Sequence, residues 1–98
     1  MNRWVDGPAP RFTDKQGQYL AFIWAYAQIN RRPPAERDLQ DYFRVSPPSV
    51  HQMVLTLEAA GLIRRTPGQA RSVELCVDPR TLPVLGLPQL VKSPVQPY

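Results

Sequence analysis

Apolar residues recur at helical spacing in the first half of the chain and predict two helices. The first begins at Thr13, because Thr13 and Gln16 have the spacing of a capping box, and it carries no charge from Gln16 to Asn30. The second covers residues 35–43 and keeps its large apolar residues on one side. The Pro33-Pro34 pair between them favours an extended connection, since a residue that precedes proline avoids the helical backbone.

The third predicted helix, residues 47–60, has the clearest start in the sequence. Ser46 can accept a backbone N–H as N-cap, and Pro47 occupies the first helical position, where its missing N–H has no cost. Gly61 ends the helix. Its buried face is predicted by an apolar stripe at helical spacing: Val50, Met53, Val54 and Leu57.

A short β-hairpin is predicted after Gly61. Residues 62–66 form its first strand, residues 72–77 alternate apolar and polar as a half-buried partner, and Pro67-Gly68 marks the turn. Two helices joined by about three residues, the second amphipathic, form the helix-turn-helix pattern. The fold class is therefore mainly α with a small β-hairpin, a winged helix-turn-helix of three helices and a two-stranded wing.

Proline and glycine set the predicted domain boundaries. Residues 1–11 form an N-terminal arm, residues 12–77 the winged domain, and residues 78–98 a Pro-rich C-terminal arm that contains five of the twelve prolines. The C-terminal arm is too apolar for a simple linker. We expect it to pack on its own domain or on a partner, with the last residues disordered.

The first helix is apolar on two sides, and one side must pack on the helices that follow. The other needs the C-terminal arm or a second subunit as its cover, and we expect a homodimer. The alternative is that these aromatic residues are ordinary core in a domain with few other large side chains. The residues of this predicted dimer or tail-packing face are Tyr19, Phe22, Trp24 and Tyr26.

Composition narrows the possible chemistry. The chain has one His and one Cys, so it has no internal disulfide and cannot supply a tetrahedral zinc site. No catalytic triad can be argued from the sequence, because only this one His could serve in it. We expect no metal, no cofactor and no enzymatic activity. With no apolar run of membrane-spanning length and no secretory leader, we expect a soluble, cytoplasmic protein. The net charge is +4, and ten of the twelve basic residues are Arg, which grips phosphate with a planar fork.

Double-stranded DNA is the partner that these features favour. The exposed side of the third helix carries small and amide side chains, as a helix in the major groove requires. The candidate base contacts are Ser49, His51 and Gln52. The candidates for phosphate or minor-groove contacts are Arg31, Arg32, Arg37, Arg44, Ser46, Arg64, Arg65, Gln69 and Arg71.

Residues 12–75 resemble the N-terminal DNA-binding domain of LexA-type repressors. The matching features are the T-x-x-Q helix start, the Pro33-Pro34 pair, Ser46-Pro47, the L-E-x-x-G-L-I-x-R run that ends at Arg65, and the P-G-x-x-R-S-V-x-L wing that begins at Pro67. The resemblance implies a sequence-specific repressor domain in a bacterium, associated with the nucleoid. Its third helix would enter the major groove and its wing would lie on the neighbouring backbone or in the minor groove.

Two departures limit what the resemblance implies. Nothing after Leu75 has the strand pattern of the self-cleaving, dimerising domain of LexA-type repressors, so self-cleavage is not expected here. The chain is also one residue shorter before the third helix and has Pro48 and Ser49 where the family often has base-reading side chains, which predicts a different operator. The rival hypothesis is a winged helix used for protein–protein interaction through the wing and the Pro-rich arm.

Overall fold

The computed structural model describes residues 11–86, so the predicted N-terminal arm before Arg11 and the last residues of the C-terminal arm lie outside it. The helices are α1 (Asp14–Asn30), α2 (Glu36–Phe43) and α3 (Pro47–Ala59). The strands are β1 (Ile63–Arg64) and β2 (Glu74–Leu75), which pair antiparallel, and a short 3-10 helix (Pro79–Thr81) follows. The predicted winged helix-turn-helix is therefore confirmed.

The capping box at the start of α1 is present as the sequence predicts. Thr13 Oγ1 accepts the backbone N–H of Gln16 at 3.1 Å, and the Gln16 side chain accepts the Thr13 N–H at 2.9 Å. The helix ends at Arg31, whose φ of 60° is left-handed and whose N–H donates to the Ala27 carbonyl.

The first turn of α2 is capped from within the helix. Ala35 occupies the cap position and has no side chain that can accept a hydrogen bond. The Asp38 carboxylate accepts the Ala35 N–H at 2.8 Å instead. At the other end Arg44 has a φ of 56°, and its N–H donates to the Gln40 carbonyl at 2.8 Å. This left-handed residue makes the predicted turn into α3.

One apolar core joins the three helices and the hairpin. Val50, Val54 and Leu57 are fully buried, which confirms the predicted stripe of α3, and Met53 packs at its edge. Gly61 has a φ of 75°, which a residue without Cβ adopts without strain, and it turns the chain from α3 into β1. Within residues 11–86 no helix combines the length and the apolar character needed to cross a membrane.

An aromatic cluster between α1 and α2 corrects the prediction of an externally covered face on α1. Tyr19 stacks on Phe43 with ring centroids 4.3 Å apart, and Phe22 lies 4.8 Å from Tyr42. Tyr19 and Phe22 are both buried. The aromatic residues of α2 therefore provide the cover, and Tyr19 and Phe22 are ordinary core residues, as the alternative to a tail or a second subunit predicted.

The other two aromatic residues of that predicted face have different positions. Tyr26 is half-buried and reaches the wing, where its hydroxyl accepts a hydrogen bond from Arg71 at 3.0 Å. Trp24 is 41% exposed, so it does not lie in the core. Of the four residues, Trp24 is the one with a large exposed apolar surface.

Both strands are shorter than predicted because a side chain replaces part of the ladder. Ser72 Oγ accepts the Thr66 N–H at 2.9 Å and lies 3.1 Å from the Thr66 carbonyl oxygen. The serine hydroxyl thus satisfies the groups that a longer ladder would pair. At the other end the Cys76 N–H still donates to the Leu62 carbonyl at 2.9 Å, beyond the residues assigned to the strands.

The described part of the C-terminal arm packs on its own domain. The Gln18 side-chain amide donates to the Val84 carbonyl at 3.0 Å and accepts the Gly86 N–H at 2.8 Å. The Tyr42 hydroxyl donates to the Gly86 carbonyl, and burial raises the pKa of Tyr42. Gly17 permits this approach, since a Cβ there would lie only 3.0 Å from the Pro83 ring.

We expect Gln18→Ala to release residues 84–86 from α1, because one amide holds this segment through two hydrogen bonds. The loss in stability should be about 1–3 kcal/mol, since each bond contributes roughly 0.5–1.5 kcal/mol. Hydrogen exchange at the Gly86 amide measures the release. Gln18→Glu is the matched control, because it keeps the acceptor for Gly86 and loses the donor for Val84. Unchanged exchange in Gln18→Ala would contradict the clamp.

Candidate nucleic-acid interface

The outward side of α3 begins at a cap that also orients Ser49. Ser46 Oγ accepts a hydrogen bond from the Ser49 backbone N–H at 3.4 Å. The Ser46 hydroxyl in turn donates to Ser49 Oγ at 2.9 Å. Both residues are exposed. The Ser46 hydroxyl proton is used within the cap, whereas the Ser49 hydroxyl keeps its own proton for an external acceptor.

Gln52 offers both a donor and an acceptor on the same exposed side. No other residue between 11 and 86 forms a hydrogen bond with its side-chain amide. Its backbone carbonyl accepts the Thr56 hydroxyl at 2.9 Å. An amide of this kind can pair with adenine through two parallel hydrogen bonds.

His51 has a partner that the sequence does not reveal. Its Nδ1 lies 3.1 Å and 3.2 Å from the two carboxylate oxygens of Glu36, in the first turn of α2. The His51 side chain remains 53% exposed. Because Nδ1–H donates to the carboxylate, the outer nitrogen Nε2 accepts in the neutral ring and donates in the protonated one.

The wing is a tight turn with a cross-strand ion pair behind it. Gly68 has a φ of 82°, and the Gln69 N–H donates to the Thr66 carbonyl at 3.1 Å. Arg64 faces Glu74 directly in the strand register, and its Nε donates to the carboxylate at 2.7 Å. That hydrogen bond raises the pKa of Arg64, whose side chain is still 71% exposed.

Arg65 is directed towards α3 rather than outward. Its Nε donates to Glu58 at 3.2 Å, and the Arg65 side chain is only 21% exposed. The pair joins the last turn of α3 to the residue that follows β1, so it ties the wing to α3.

Arg71 leaves the wing tip and reaches the junction between α1 and α2. One guanidinium nitrogen lies 2.9 Å from the Asp38 carboxylate, 3.0 Å from the Tyr26 hydroxyl and 3.3 Å from the Pro33 carbonyl. The hydrogen bond to Tyr26, with a further contribution from the Asp38 charge, raises the pKa of Arg71. The polar cleft beneath the wing, about 210 Å³, is lined by Pro33, Arg64, Arg65, Thr66, Gln69, Arg71, Ser72 and Glu74.

The remaining candidate arginines flank the start and end of α2. Arg31 and Arg32 are exposed in the α1–α2 connection. Arg37 is exposed and lies 3.7 Å from Asp41 of the same helix. Arg44, in the turn before α3, is also exposed. The candidate contacts therefore occur on three neighbouring segments: the α1–α2 connection with α2, the exposed side of α3 and the wing.

Sequence reasoning missed four acidic residues that meet the candidate contact residues from a different element of the structure: Glu36, Asp38, Glu58 and Glu74. Only Glu74 has a sequence signal, because a hairpin with the observed register places it opposite Arg64. The other three meet their partners through tertiary packing. Their presence means that the basic surface is partly neutralised by the protein itself.

A helix-turn-helix followed by a two-stranded wing rich in arginine defines the winged helix-turn-helix class. The family model for the LexA DNA binding domain matches residues 10–72. The chain belongs to the LexA DNA-binding domain family.

Similar proteins carry this domain as part of a longer chain. The LexA repressor of Thermosipho africanus is 40% identical over 76 residues, which cover 76% of this chain and 38% of that protein. The LexA repressor of Thermosipho melanesiensis is 38% identical over 65 residues, which cover 66% of this chain and 33% of that protein. The chain thus spans between one third and two fifths of the length of these relatives.

Proposed function

We propose that this protein binds double-stranded DNA at specific sequences and represses transcription from the sites it occupies. The main support is the exposed polar side of α3 with Ser49 and Gln52, together with the exposed Arg64 on the wing that follows this helix. The name of the similar repressors supports the same role. Such a protein acts in the bacterial cytoplasm, on the nucleoid.

Base reading is assigned to three residues of α3. Gln52 has a free amide that suits adenine, and Ser49 has a hydroxyl proton that suits any nearby acceptor. His51 presents Nε2, because Glu36 engages its other ring nitrogen. These groups follow the N-terminus of α3, the part of a recognition helix that contacts base edges.

Backbone contacts are assigned to the segments that flank α3. Arg31, Arg32 and Arg37 lie before it, and Arg44 and Ser46 lie at its start. To contact a phosphate, the Ser46 hydroxyl would exchange its bond to Ser49 for one to the phosphate oxygen. On the wing, Arg64 and Gln69 are exposed, and Arg65 lies beside them in a pair with Glu58. An exposed pair such as Arg64–Glu74 is weak enough in water for the guanidinium to exchange a carboxylate for a phosphate.

Selection of bound duplexes from a random pool tests the proposal. We expect a defined sequence to be enriched, and we expect Gln52→Ala to relax the preference at one position with a loss of about 1–3 kcal/mol in discrimination. Thr56→Ala on the same helix is the control, because its hydroxyl already bonds to the Gln52 carbonyl. Absence of binding to any duplex would contradict DNA binding and favour a protein-interaction role.

Dimeric binding is a separate part of the proposal. Two copies would read two half-sites, which compensates for the small contact area of one module. Since Tyr19 and Phe22 are buried in their own domain, the dimer does not rest on them. Sedimentation of the protein with a selected duplex tests it, and a strict monomer on a single half-site would contradict it.

A further inference from the structure

We propose that Arg71 is a positioning residue that latches the wing to the first turn of α2 through Asp38. This inference rests on the proposed function, because it concerns how the wing is held for DNA binding. It assigns Arg71 a role different from that of Arg64 on the same hairpin. We call the contact of Arg71 with Asp38 and Tyr26 the wing latch.

The geometry of Arg71 differs from that of an arginine available to phosphate. One of its nitrogens has two hydrogens and three acceptors, and the two shortest bonds go to Asp38 at 2.9 Å and to Tyr26 at 3.0 Å. The guanidinium carbon also lies 5.8 Å from the centre of the Tyr26 ring, within cation–π distance. The Arg71 side chain is 35% exposed, half the value for Arg64.

Asp38 is a suitable anchor because its own position is fixed. The oxygen that accepts from Arg71 also accepts the Ala35 N–H at 2.8 Å, so the carboxylate closes the first turn of α2. Glu36 in the same turn holds His51 of α3. The first turn of α2 therefore contacts the wing through one acidic residue and the recognition helix through another. This turn sets the position of the wing relative to α3.

The Asp38→Asn substitution distinguishes the latch from a direct contact between Arg71 and a phosphate, because the two hypotheses predict opposite changes in DNA affinity. The asparagine oxygen can still accept the Ala35 N–H, so the cap of α2 is kept. The substitution removes one negative charge from a surface that binds a polyanion. If Arg71 contacted phosphate, losing its competing carboxylate would tighten DNA binding. A latch predicts the opposite, because the neutral amide oxygen of the introduced asparagine holds the Arg71 guanidinium less strongly than the carboxylate does.

We expect Asp38→Asn and Arg71→Gln each to weaken binding to a selected duplex by roughly tenfold, with the double variant no weaker than either single one. Both should leave the salt dependence of binding unchanged, whereas Arg64→Gln should lower its slope by about 0.9. Tyr26→Phe keeps the ring and removes one acceptor of Arg71, so it should weaken DNA binding less than Asp38→Asn or Arg71→Gln does.

A measurement without DNA tests the latch independently. In the free protein, backbone NMR order parameters of residues 66–72 should fall from about 0.85 towards 0.6 in Asp38→Asn, while those of α3 stay unchanged. Unchanged wing order would overturn the latch. Equal or tighter DNA binding by Asp38→Asn, with a lower salt slope for Arg71→Gln, would also overturn it. If the wild-type protein bound no duplex, the proposed function would fail, and the order parameters would still decide the latch.

Discussion

Raising the salt concentration from 50 to 200 mM should weaken DNA binding by about a thousandfold, if six of the proposed residues meet phosphates. Each such contact releases condensed counterions from the duplex, so the logarithm of the affinity falls by about 0.9 per contact for each tenfold increase in salt. Titrations of a labelled duplex at several salt concentrations give the slope.

Arg64→Gln is the variant that connects this slope to the structure. The Arg64 side chain is 71% exposed on the wing, and within residues 11–86 it bonds to the exposed Glu74. Removing one phosphate contact should lower the slope by about 0.9 and weaken binding to all sequences alike. Arg80→Gln is the matched control, because Arg80 is paired with Asp78 outside the proposed interface. An affinity that does not depend on salt would contradict the proposed contacts.

Phe43→Ala should destabilise the domain by about 3–5 kcal/mol, which is the usual cost of removing a buried aromatic ring. The Phe43 ring stacks on Tyr19 and meets Phe22 and Tyr42 edge-on, at centroid distances of 4.3, 5.8 and 5.0 Å. Its loss leaves a cavity between α1 and α2 that neighbouring rigid rings cannot fill. Urea unfolding followed by circular dichroism measures the change.

Trp24→Ala is the control for that experiment because it removes an even larger ring from a site that is 41% exposed. We expect a clearly smaller loss, since partial exposure leaves less apolar surface to lose from the interior. Phe43→Leu should lie between the two, because it refills part of the cavity. Equal losses of stability for Phe43→Ala and Trp24→Ala would contradict the packing of Phe43 between α1 and α2.

Local signals account for the parts of the fold that were predicted correctly. The Thr13–Gln16 box, the Ser46-Pro47 start and Gly61 act on the backbone within a few residues. They can therefore be recognised from the sequence without knowledge of the tertiary structure. The apolar stripe of α3 could also be predicted from the sequence, because the residues at helical spacing are the ones that are buried. The strand lengths could not be predicted in this way, because the Ser72 hydroxyl replaces ladder hydrogen bonds and the pattern of apolar residues does not indicate that.

The periodicity of apolar residues could not predict what covers the second apolar side of α1. The sequence showed that Tyr19 and Phe22 needed a cover and left open whether an arm, a second subunit or ordinary core packing supplied it. In the structure α2 covers both rings, because Tyr42 and Phe43 come from a helix only 8 residues long that lies across them. Which surface meets which depends on how the helices cross, and that angle is not encoded in any single stretch.

The sequence by itself determined where the helices begin and end, the family of the chain and the concentration of arginine around the third helix. Only the tertiary structure decided which arginines are already engaged. Arg71 meets Asp38 across 33 positions of the chain, and His51 meets Glu36 across 15. The physical reason is that the strength of an ion pair depends on distance and solvent exposure, and both quantities exist only after the chain has folded.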